Sequence, residues 1–584
     1  MVSVRRHVLL CLWLGACSTP HTRPEPLELA DVPALAGDSL PAISGGTLLV
    51  TQRGLIVAGD ADHAVLWVLD PSVPAVVGHL RLRPSDEPGR MAESDDGRVH
   101  VVLRRAGELL SIDPATATVL SRRPVCAAPR GVAWDAERSL LWVACMGGAL
   151  LALDPAGDVL RRFSVERDLR DVVVTEAGVF VSRFRRAELL TVDPNDGAVL
   201  DRRRAADRFL PSRAGPQLVA NVAWRSRRLP DGGVVMLHQL SVSSEVDVDG
   251  SGYAGLFCRN GVVSPAVTRF PPSGGAPQGT GPMGFAPLAL DVVQLSTTGG
   301  ARTVVAIGAS EVGGQDGLWS TLEVSAAPGA PCAALEFPTA GAPPAIAVAD
   351  WEGRLVTQHR NPTRIAVEDG PVFEMSTRLA DDRGHALFHA GTPSFVACAS
   401  CHPEGGEDGH TWNFTGIGLR RTQTMLGGLL ETAPFHWSGD QPDMTAIMVG
   451  SFEGRMRGAH PSDAEIMEVG RWLDGLASPP PDPVEPAAGS RGRAVFEDPD
   501  VGCANCHAGS ARTERTNRDV GTGDAYQVPS LRGVVHRAPY FHDGCAPSLE
   551  EVVDGACGTL DRHGVTSSLE AGSRADLLAY LRSL

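Results

Sequence analysis

The chain has 584 residues, and its 52 Lys and Arg against 69 Asp and Glu give a formal net charge of −17. This acidic excess argues against nucleic acid and against an anionic membrane surface as electrostatic partners. The length predicts several domains, and abundant Gly and Pro with only 5% aromatic residues favour a loop-rich β domain over a helical one.

The N-terminus has the pattern of a targeting segment. A positive stretch at residues 5–7 precedes a short apolar run at residues 8–14, as in a secretory signal peptide. The run ends at Leu14-Gly15-Ala16-Cys17, which resembles the lipobox of bacterial lipoproteins and implies lipidation of Cys17. An ordinary signal peptide with an incidental cysteine is the alternative. Residues 1–17 are therefore predicted to be a lipoprotein signal peptide with its lipobox.

The segment after the lipobox predicts where the protein resides. Residues 18–45 are Pro-rich and are predicted to be a tether between the lipid and the first domain. Ser18 stands where an aspartate would resemble an inner-membrane retention signal, so the outer membrane, facing the periplasm, is favoured. No later segment reaches the length of a transmembrane helix. We expect an exported protein of the bacterial envelope that meets the membrane only through a lipid anchor at Cys17.

Residues 46–375 are predicted to form an all-β propeller. Short apolar strands alternate with Gly, Asp and Pro, and a strand-then-Asp-Pro motif recurs about every 40 residues, as blades do. The repeated aspartates are Asp70, Asp113, Asp154 and Asp193. The motif resembles that of YVTN or surface-layer-like propellers, and the length predicts about seven blades. A pair of β-sandwiches is the alternative.

One acidic loop of the predicted propeller resembles a calcium site. It contains Asp247, Asp249 and Gly250, but the glutamate that would complete an EF-hand loop is absent. A solvated acidic turn is therefore favoured over a calcium ion. The sequence of the predicted propeller does not identify a substrate.

Two pentapeptides near the C-terminus carry the strongest chemical signal. Cys398-Ala399-Ser400-Cys401-His402 recurs as Cys503-Ala504-Asn505-Cys506-His507. Cys-x-x-Cys-His is typical of covalent haem c attachment, in which both thiols form thioethers and the histidine binds the iron. We therefore expect two haem c groups, with His402 and His507 as proximal ligands. A redox thiol pair or half of a zinc site is the alternative.

The remaining cysteines outside the N-terminal segment favour disulfide bonds. An even number in an exported protein suggests pairing. Pairing between neighbours in sequence would join Cys126 to Cys145, Cys258 to Cys332 and Cys545 to Cys557. Free buried thiols are the alternative for the first two pairs.

The region around the two motifs is an internal duplication. Gly384 and Phe388 precede the first motif as Gly492 and Phe496 precede the second. Predicted closing helices follow each motif. Two α-helical cytochrome c-like domains are expected at residues 376–478 and 479–584, so the fold class is a multidomain protein with an N-terminal propeller.

This duplicated region resembles the dihaem cytochrome c peroxidase family, which includes the dihaem enzyme that matures methylamine dehydrogenase. The matching segments are Gly405-Gly406-Glu407-Asp408-Gly409, Phe435-His436-Trp437-Ser438-Gly439, Val528-Pro529-Ser530-Leu531-Arg532 and Ala538-Pro539-Tyr540-Phe541-His542-Asp543-Gly544. The resemblance implies that Trp437 relays electrons between the haems, with core packing as the alternative. It also implies that one haem transfers electrons and the other opens to hydrogen peroxide. The sequence departs from the family because no methionine follows Tyr540.

The sixth iron ligands would decide what each haem does. Met456 before the first closing helix and His563 before the second are the favoured distal ligands. A methionine ligand would raise the reduction potential of its haem. Alternatives are His410, Met425 and His436 for the first haem and His542 for the second. Glu453 is a loose match to the family's peroxide-splitting acid.

Three functions remain open from the sequence. The favoured one is an exported dihaem cytochrome that transfers electrons between its haems and a redox protein acting as donor or acceptor. The second is a dihaem peroxidase or oxidase that reduces hydrogen peroxide at one open haem. The third is a propeller that serves as a binding platform with accessory haems. The sequence does not decide whether the protein is an enzyme.

Overall fold

The computed structural model describes residues 39–208, 217–250, 252–254, 258–272, 274–298, 300–309, 320–325, 330–336, 343–375, 380 and 382–584. The predicted signal peptide, Cys17 and most of the tether lie outside these residues. Within the described ranges, no helix combines the length and the apolar character needed to cross a membrane.

Seven four-stranded antiparallel sheets form the N-terminal region, and each sheet consists of four consecutive strands. Blades 1 and 2 contain β1 Leu48–Val50, β2 Ile56–Asp60, β3 Val65–Asp70, β4 Ala75–Arg81, β5 Pro88–Glu93, β6 Val99–Leu103, β7 Glu108–Asp113 and β8 Thr118–Pro124. Blades 3 and 4 contain β9 Pro129–Asp135, β10 Leu140–Cys145, β11 Ala149–Leu153, β12 Val159–Ser164, β13 Leu169–Thr175, β14 Gly178–Arg183, β15 Glu188–Val192 and β16 Val199–Arg204. Blades 5 to 7 contain β17 Leu218–Arg228, β18 Val234–Val242, β19 Val263–Phe270, β20 Gln278–Gly279, β21 Ala289–Thr297, β22 Gly300–Ile307, β23 Thr321–Ser325, β24 Ala334–Glu336, β25 Ala345–Trp351, β26 Arg354–His359, β27 Arg364–Val367 and β28 Val372–Glu374.

These sheets close into a ring, which confirms the prediction of a seven-bladed propeller. The first strands of neighbouring blades contact one another in succession, and β25 returns to contact β1. First strands therefore line the central axis, whereas fourth strands such as β8 and β12 are largely exposed. The repeated aspartate ends the third strand and caps the turn to the fourth. Asp70, for example, accepts a hydrogen bond from the Ser72 amide at 2.9 Å.

Residues 380–584 form a second module that is less helical than the sequence predicts. Its helices are α1 Arg383–His389, α2 Cys398–Cys401, α3 Met444–Ile447, α4 Asp463–Asp474, α5 Pro486–Glu497, α6 Leu549–Val553 and α7 Ala571–Arg582, with a π-helical segment at Met448–Arg455. Two short ribbons are β29 Thr411–Phe414 with β30 Gly418–Arg421, and β31 Asn517–Asp519 with β32 Ala525–Gln527. Short 3₁₀ turns lie at Phe184–Arg186 in the propeller and, in the module, at Pro403–Gly405, Leu429–Thr432, Cys503–Asn505, Val534–His536 and Ala556–Gly558. Loops make up most of the remainder.

The two halves of this module share one construction. In each half the helix before the motif packs on the closing helix through a glycine. A Cβ on Gly384 would lie 2.3 Å from the Glu468 carbonyl oxygen, and one on Gly492 would lie 1.8 Å from that of Asp576. Only glycine permits such an approach, so the duplicated glycines set the helix packing in both halves.

The first half of the module is docked onto the propeller. One apolar core contains Trp224 and Leu288 of the propeller together with Trp412 and Trp472 of the module. The end of the predicted tether lies between the two regions, because the Trp472 indole donates to the Leu40 carbonyl at 2.8 Å. The propeller and the first half thus share one hydrophobic core.

The seam between blades 7 and 1 is bridged by a polar chain. Arg360 of blade 7 donates to Asp62 of blade 1 at 3.0 Å and to His385 Nδ1 of α1 at 2.8 Å. All three side chains are largely or fully buried. The module therefore contacts the propeller where its first and last blades meet.

The disulfides pair as the sequence predicts. Bonds join Cys126 to Cys145, Cys258 to Cys332 and Cys545 to Cys557. Among the described cysteines, those left free are Cys398, Cys401, Cys503 and Cys506, which are the four of the two motifs.

Candidate functional site

One cavity of about 860 Å³ contains both Cys-x-x-Cys-His motifs. This volume is near the upper end of about 300–1,000 Å³ that pockets for organic ligands occupy. Residues of both halves line the cavity, and its walls are mostly apolar. The residues that the motifs contribute are Cys398, Cys401, His402, Cys503, Cys506 and His507.

The motifs form tight turns that present the histidine to this cavity. The His402 amide donates to the Cys398 carbonyl at 2.9 Å, and the His507 amide donates to the Cys503 carbonyl at 3.1 Å. His402 Nδ1 lies 3.2 Å from the Gly406 carbonyl, and His507 Nδ1 lies 3.2 Å from the Arg512 carbonyl. Because a carbonyl only accepts, Nδ1 carries the proton in both rings and Nε2 keeps its lone pair for a metal.

Burial keeps the groups of the motifs neutral. It raises the pKa of Cys398 to about 12 and that of Cys503 to about 11. Burial also lowers the pKa of His402 to about 4. A neutral imidazole is the form that binds iron.

The second motif faces a second histidine across the cavity. The ring centroids of His507 and His563 are 6.1 Å apart, with an angle of 85° between the ring planes. A ligating imidazole nitrogen lies about 2 Å from its metal, so two rings on opposite sides of one ion have centroids about 6 Å apart. Burial, and then the neighbouring His507, lower the pKa of His563 to about 4. The separation of the two rings would therefore allow both to hold one iron ion.

The first motif faces several methionines instead. Met456 ends the π-helical segment, is buried, and lines the cavity together with Met425, Met444 and Met448. A thioether is a neutral sulfur ligand that suits haem iron. The favoured distal ligands of the two motifs thus both lie in the cavity wall.

Cationic side chains complete the cavity wall. They are Arg420, Arg421, Arg455, Arg518, Arg537 and Arg562, of which Arg421, Arg518 and Arg562 also pair with acidic side chains. Guanidinium groups pair well with carboxylates, and haem carries two propionates. The donor set, the neutral histidines and these arginines together fit haem c.

Trp437 lies where the two halves meet. Its indole donates to the Arg421 carbonyl at 2.7 Å, and its ring is 6.5 Å from that of His542 in an edge-on arrangement. His542 in turn stacks on Tyr526 at 3.9 Å. Both Trp437 and His542 line the cavity. His436 also lines it, with Nδ1 3.3 Å from Asp440.

Two candidate residues lie away from the cavity wall. His410 Nε2 donates to the Val242 carbonyl of the propeller at 3.1 Å. Glu453 is 38% exposed and pairs with the exposed His460 at 2.7 Å. Neither residue lines the cavity that contains the motifs.

The acidic loop of the propeller forms an ordinary turn. Asp247 accepts from the amides of Asp249 and Gly250, both at 3.1 Å. Over the part of the chain that the structure describes, no group of three or more His, Cys, Asp or Glu is arranged to hold a metal ion.

Sequence reasoning missed a charged junction between the first motif and the propeller axis. Glu404, two residues after His402, enters the axis and pairs with Arg104, Arg130 and Arg170 at 3.2, 2.9 and 2.8 Å. A signal was present in the sequence. Arginines near the start of the first strands of blades 2, 3 and 4 recur at the blade period, as Arg90, Arg130 and Arg170.

The electrostatics of this junction are set by buried arginines. Burial alone would raise the pKa of Glu404, but Arg170, Arg130 and Arg104 outweigh it and hold that pKa well below its usual value. Asp171 is also buried, and Arg90 and Arg225 lower its pKa in the same way. Glu404 is thus ionised and fixed in the axis of the propeller.

The fold and the cavity define a class: a seven-bladed propeller protein that carries a duplicated module with two Cys-x-x-Cys-His motifs. No protein-family model matches the sequence. The chain is similar to the hydrazine synthase subunit gamma of Kuenenia stuttgartiensis, with 28% identity over 255 residues that cover 32% of this chain and 72% of the relative.

Solved structures that resemble the chain include two of the same enzyme. One chain of Kuenenia stuttgartiensis hydrazine synthase covers 56% of this chain and 96% of its own length, with 13% identity and a TM-score of 0.42. A chain of that enzyme pressurised with 20 bar xenon covers 33% and 82%, with 24% identity and a TM-score of 0.30. A virginiamycin B lyase from Staphylococcus aureus covers 58% and 96%, with 9% identity and a TM-score of 0.37.

Proposed function

We propose that residues 376–478 and 479–584 are two cytochrome c domains, each with one covalent haem c, and that the protein transfers electrons between these haems and a redox partner. The observation that carries this proposal is that one cavity contains both motifs, each with an Nε2 free for iron and two free thiols. The six other described cysteines are paired in disulfides.

Each motif would supply the residues that hold one haem. The thiols of Cys398 and Cys401, and those of Cys503 and Cys506, form the thioethers. His402 and His507 are the proximal ligands, and the carbonyl that each Nδ1–H contacts fixes the ring and raises the basicity of Nε2. Bound haem supplies a one-electron iron couple.

Different distal ligands would give the two haems different tasks. Met456 would raise the potential of the first haem relative to a bis-histidine site at His507 and His563. Trp437, at the boundary of the halves, is the proposed electron relay. Because the chain is acidic, a redox partner with a basic surface is favoured.

The similarity to a hydrazine synthase subunit supports a redox role, because forming hydrazine is redox chemistry. It also supports a function exerted with other chains. The disulfides support the further proposal that the protein is exported, because such bonds persist in oxidising compartments. A lipid anchor at Cys17 in the outer membrane is proposed from the sequence pattern alone.

Haem stoichiometry tests the proposal directly. The full-length protein, produced with a haem c attachment system, should contain two haems per chain that survive denaturation, measured by pyridine haemochrome absorbance and intact mass. The Cys398→Ser/Cys401→Ser variant and the Cys503→Ser/Cys506→Ser variant should each retain one haem. The matched control Cys126→Ser/Cys145→Ser should retain two. A wild-type protein without covalent haem would refute the proposal.

Spectroscopy separates electron transfer from peroxide reduction. Two low-spin haems at rest and after half-reduction, one with a methionine-to-iron charge-transfer band that Met456→Ala abolishes, would support the electron carrier. A high-spin signal that persists on half-reduction would mean an open iron and would favour the dihaem peroxidase instead.

A further inference from the structure

The carboxylate of Glu404 has a complete set of partners in the propeller axis. Its Oε1 accepts from Arg104 at 3.2 Å, from Arg170 at 2.8 Å and from the Ser44 hydroxyl, while Oε2 accepts from Arg130 at 2.9 Å. The arginines come from separate parts of blades 2, 3 and 4. The propeller therefore presents a built carboxylate site, and the first half of the module supplies the carboxylate.

The surroundings of this site carry an excess of positive charge. Arg104 also contacts Glu87, and the neighbouring Arg90 is paired with Asp171. Arg170 Nε has no hydrogen-bond partner although the side chain is buried. Removing the Glu404 carboxylate would leave Arg130 and Arg170 without an acidic partner.

The backbone conformation of Glu404 is one that glycine adopts easily. Its φ of 56° and ψ of 26° lie in the left-handed region, which favours glycine. A change of Glu404 to Gly would therefore remove the carboxylate without straining the backbone. The residue also borders a small cavity of about 70 Å³ shared with Arg130 and Arg170.

We propose that the propeller axis is a carboxylate-binding site occupied by Glu404, and that through it the propeller sets the reduction potential of the first haem. The inference rests on the proposed function, since Glu404 acts through the loop that holds His402. Reduction of ferric to ferrous haem adds one electron, which is favoured by nearby positive charge and disfavoured by nearby negative charge. Glu404 is a positioning residue, because it does not contact the cavity that contains the motifs.

The test uses full-length holoprotein in a spectroelectrochemical titration, with electrons supplied by the electrode. Glu404→Gly should raise the potential of the first haem, because it removes a negative charge without straining the backbone. Arg130→Gln should lower that potential, because it removes a positive charge. Sodium acetate should return the Glu404→Gly potential towards the wild-type value, whereas chloride at equal ionic strength should not. The control Glu431→Gln, which breaks an exposed pair with Arg532, should leave the potential unchanged.

A second readout does not depend on haem. Acetate should raise the unfolding temperature of Glu404→Gly in a concentration-dependent manner and leave that of the wild type unchanged. Potentials that shift in the same direction for Glu404→Gly and Arg130→Gln, or the absence of acetate rescue in both readouts, would overturn the inference. A protein without covalent haem would refute the proposed function alone, because the acetate-dependent unfolding temperature would still report on the carboxylate site.

Discussion

The two halves of the C-terminal module are built alike but lie in different surroundings. In the first motif the middle residues Ala399 and Ser400 are buried, and Ser400 bonds to the propeller through the Gln239 amide at 3.0 Å and the Pro287 carbonyl at 2.6 Å. In the second motif the equivalent Asn505 is exposed. The propeller encloses the back of one motif and leaves the other to solvent.

The helices that precede the motifs differ in the same way. The first carries His385 and His389, both buried, with ring centroids 4.1 Å apart. At the equivalent positions the second carries Arg493 and Glu497, which form an exposed ion pair at 2.8 Å. Duplicated sequence thus sets the shared scaffold, and contact with the propeller sets the difference between the halves.

The largest expected effect is at the closing helix of the first half. Trp472 is 0% exposed and contacts Phe388 and His385. Trp472→Ala should cost about 3–5 kcal/mol of local stability because it leaves a cavity in the shared core. Tyr580→Ala in the second half should cost less, since its hydroxyl lies at the Arg512 side chain rather than in the propeller core. Hydrogen exchange of the backbone amides in α4 and α7 measures the two losses of stability. Equal losses would contradict the expected difference between the two halves.

Acid should weaken the packing of α1 before that of α5. Burial, followed by Arg360 and His389, lowers the pKa of His385 well below its usual value, and burial lowers that of His389 to about 3. In the unfolded chain these two histidines bind protons below about pH 6.5, whereas in the folded protein they stay neutral. The part of the folding free energy that they contribute above about pH 6.5 is therefore lost as the pH falls. The loss is about 1.4 kcal/mol per pH unit for each histidine.

Hydrogen exchange of α1 and α5 at pH 7 and pH 5 measures this difference. Exchange in α1 should accelerate at pH 5 relative to that in α5. The double variant His385→Gln/His389→Gln should flatten the pH dependence of α1. An unchanged pH dependence in that variant would show that other groups cause it.

The duplicated glycines should respond alike. Gly384→Ala and Gly492→Ala each place a Cβ against a backbone carbonyl, and such overpacking costs about 1–3 kcal/mol. Local unfolding free energies from hydrogen exchange should fall in both halves. A loss confined to one half would show that the helix packing is not shared.

The smallest effect is expected at the exposed ion pair of α5. Arg493 is 64% exposed, so Arg493→Ala should leave the stability of the second half unchanged within error, because exposed pairs contribute little. The midpoint of thermal unfolding checks this. A clear loss of stability would mean that a partner covers this face.

Local patterns in the sequence predicted much of this molecule. The Asp-Pro turns predicted the blades because each aspartate caps its own turn, and the bond from Cys126 to Cys145 joins the loop between β8 and β9 to the end of β10. The placement of Glu404 could not be predicted in the same way, since its arginines are about 230 to 300 residues away and meet only when the ring closes. Glu453 shows the limit of a loose motif match, because it lies at the surface beside His460.

The bridge from Arg360 to Asp62 and His385 has a consequence for the order of synthesis. Among the described strands, each blade is built from four consecutive ones, and blades 7 and 1 meet through contacts such as those of Gln358 with Gly59 and of Thr363 with Asp60. To these contacts α1, which leaves the ribosome after all seven blades, adds the hydrogen bond between Arg360 and His385. The propeller therefore has the contacts to close on the nascent chain before the C-terminal module is made, and the module then adds one bond to a seam that already exists.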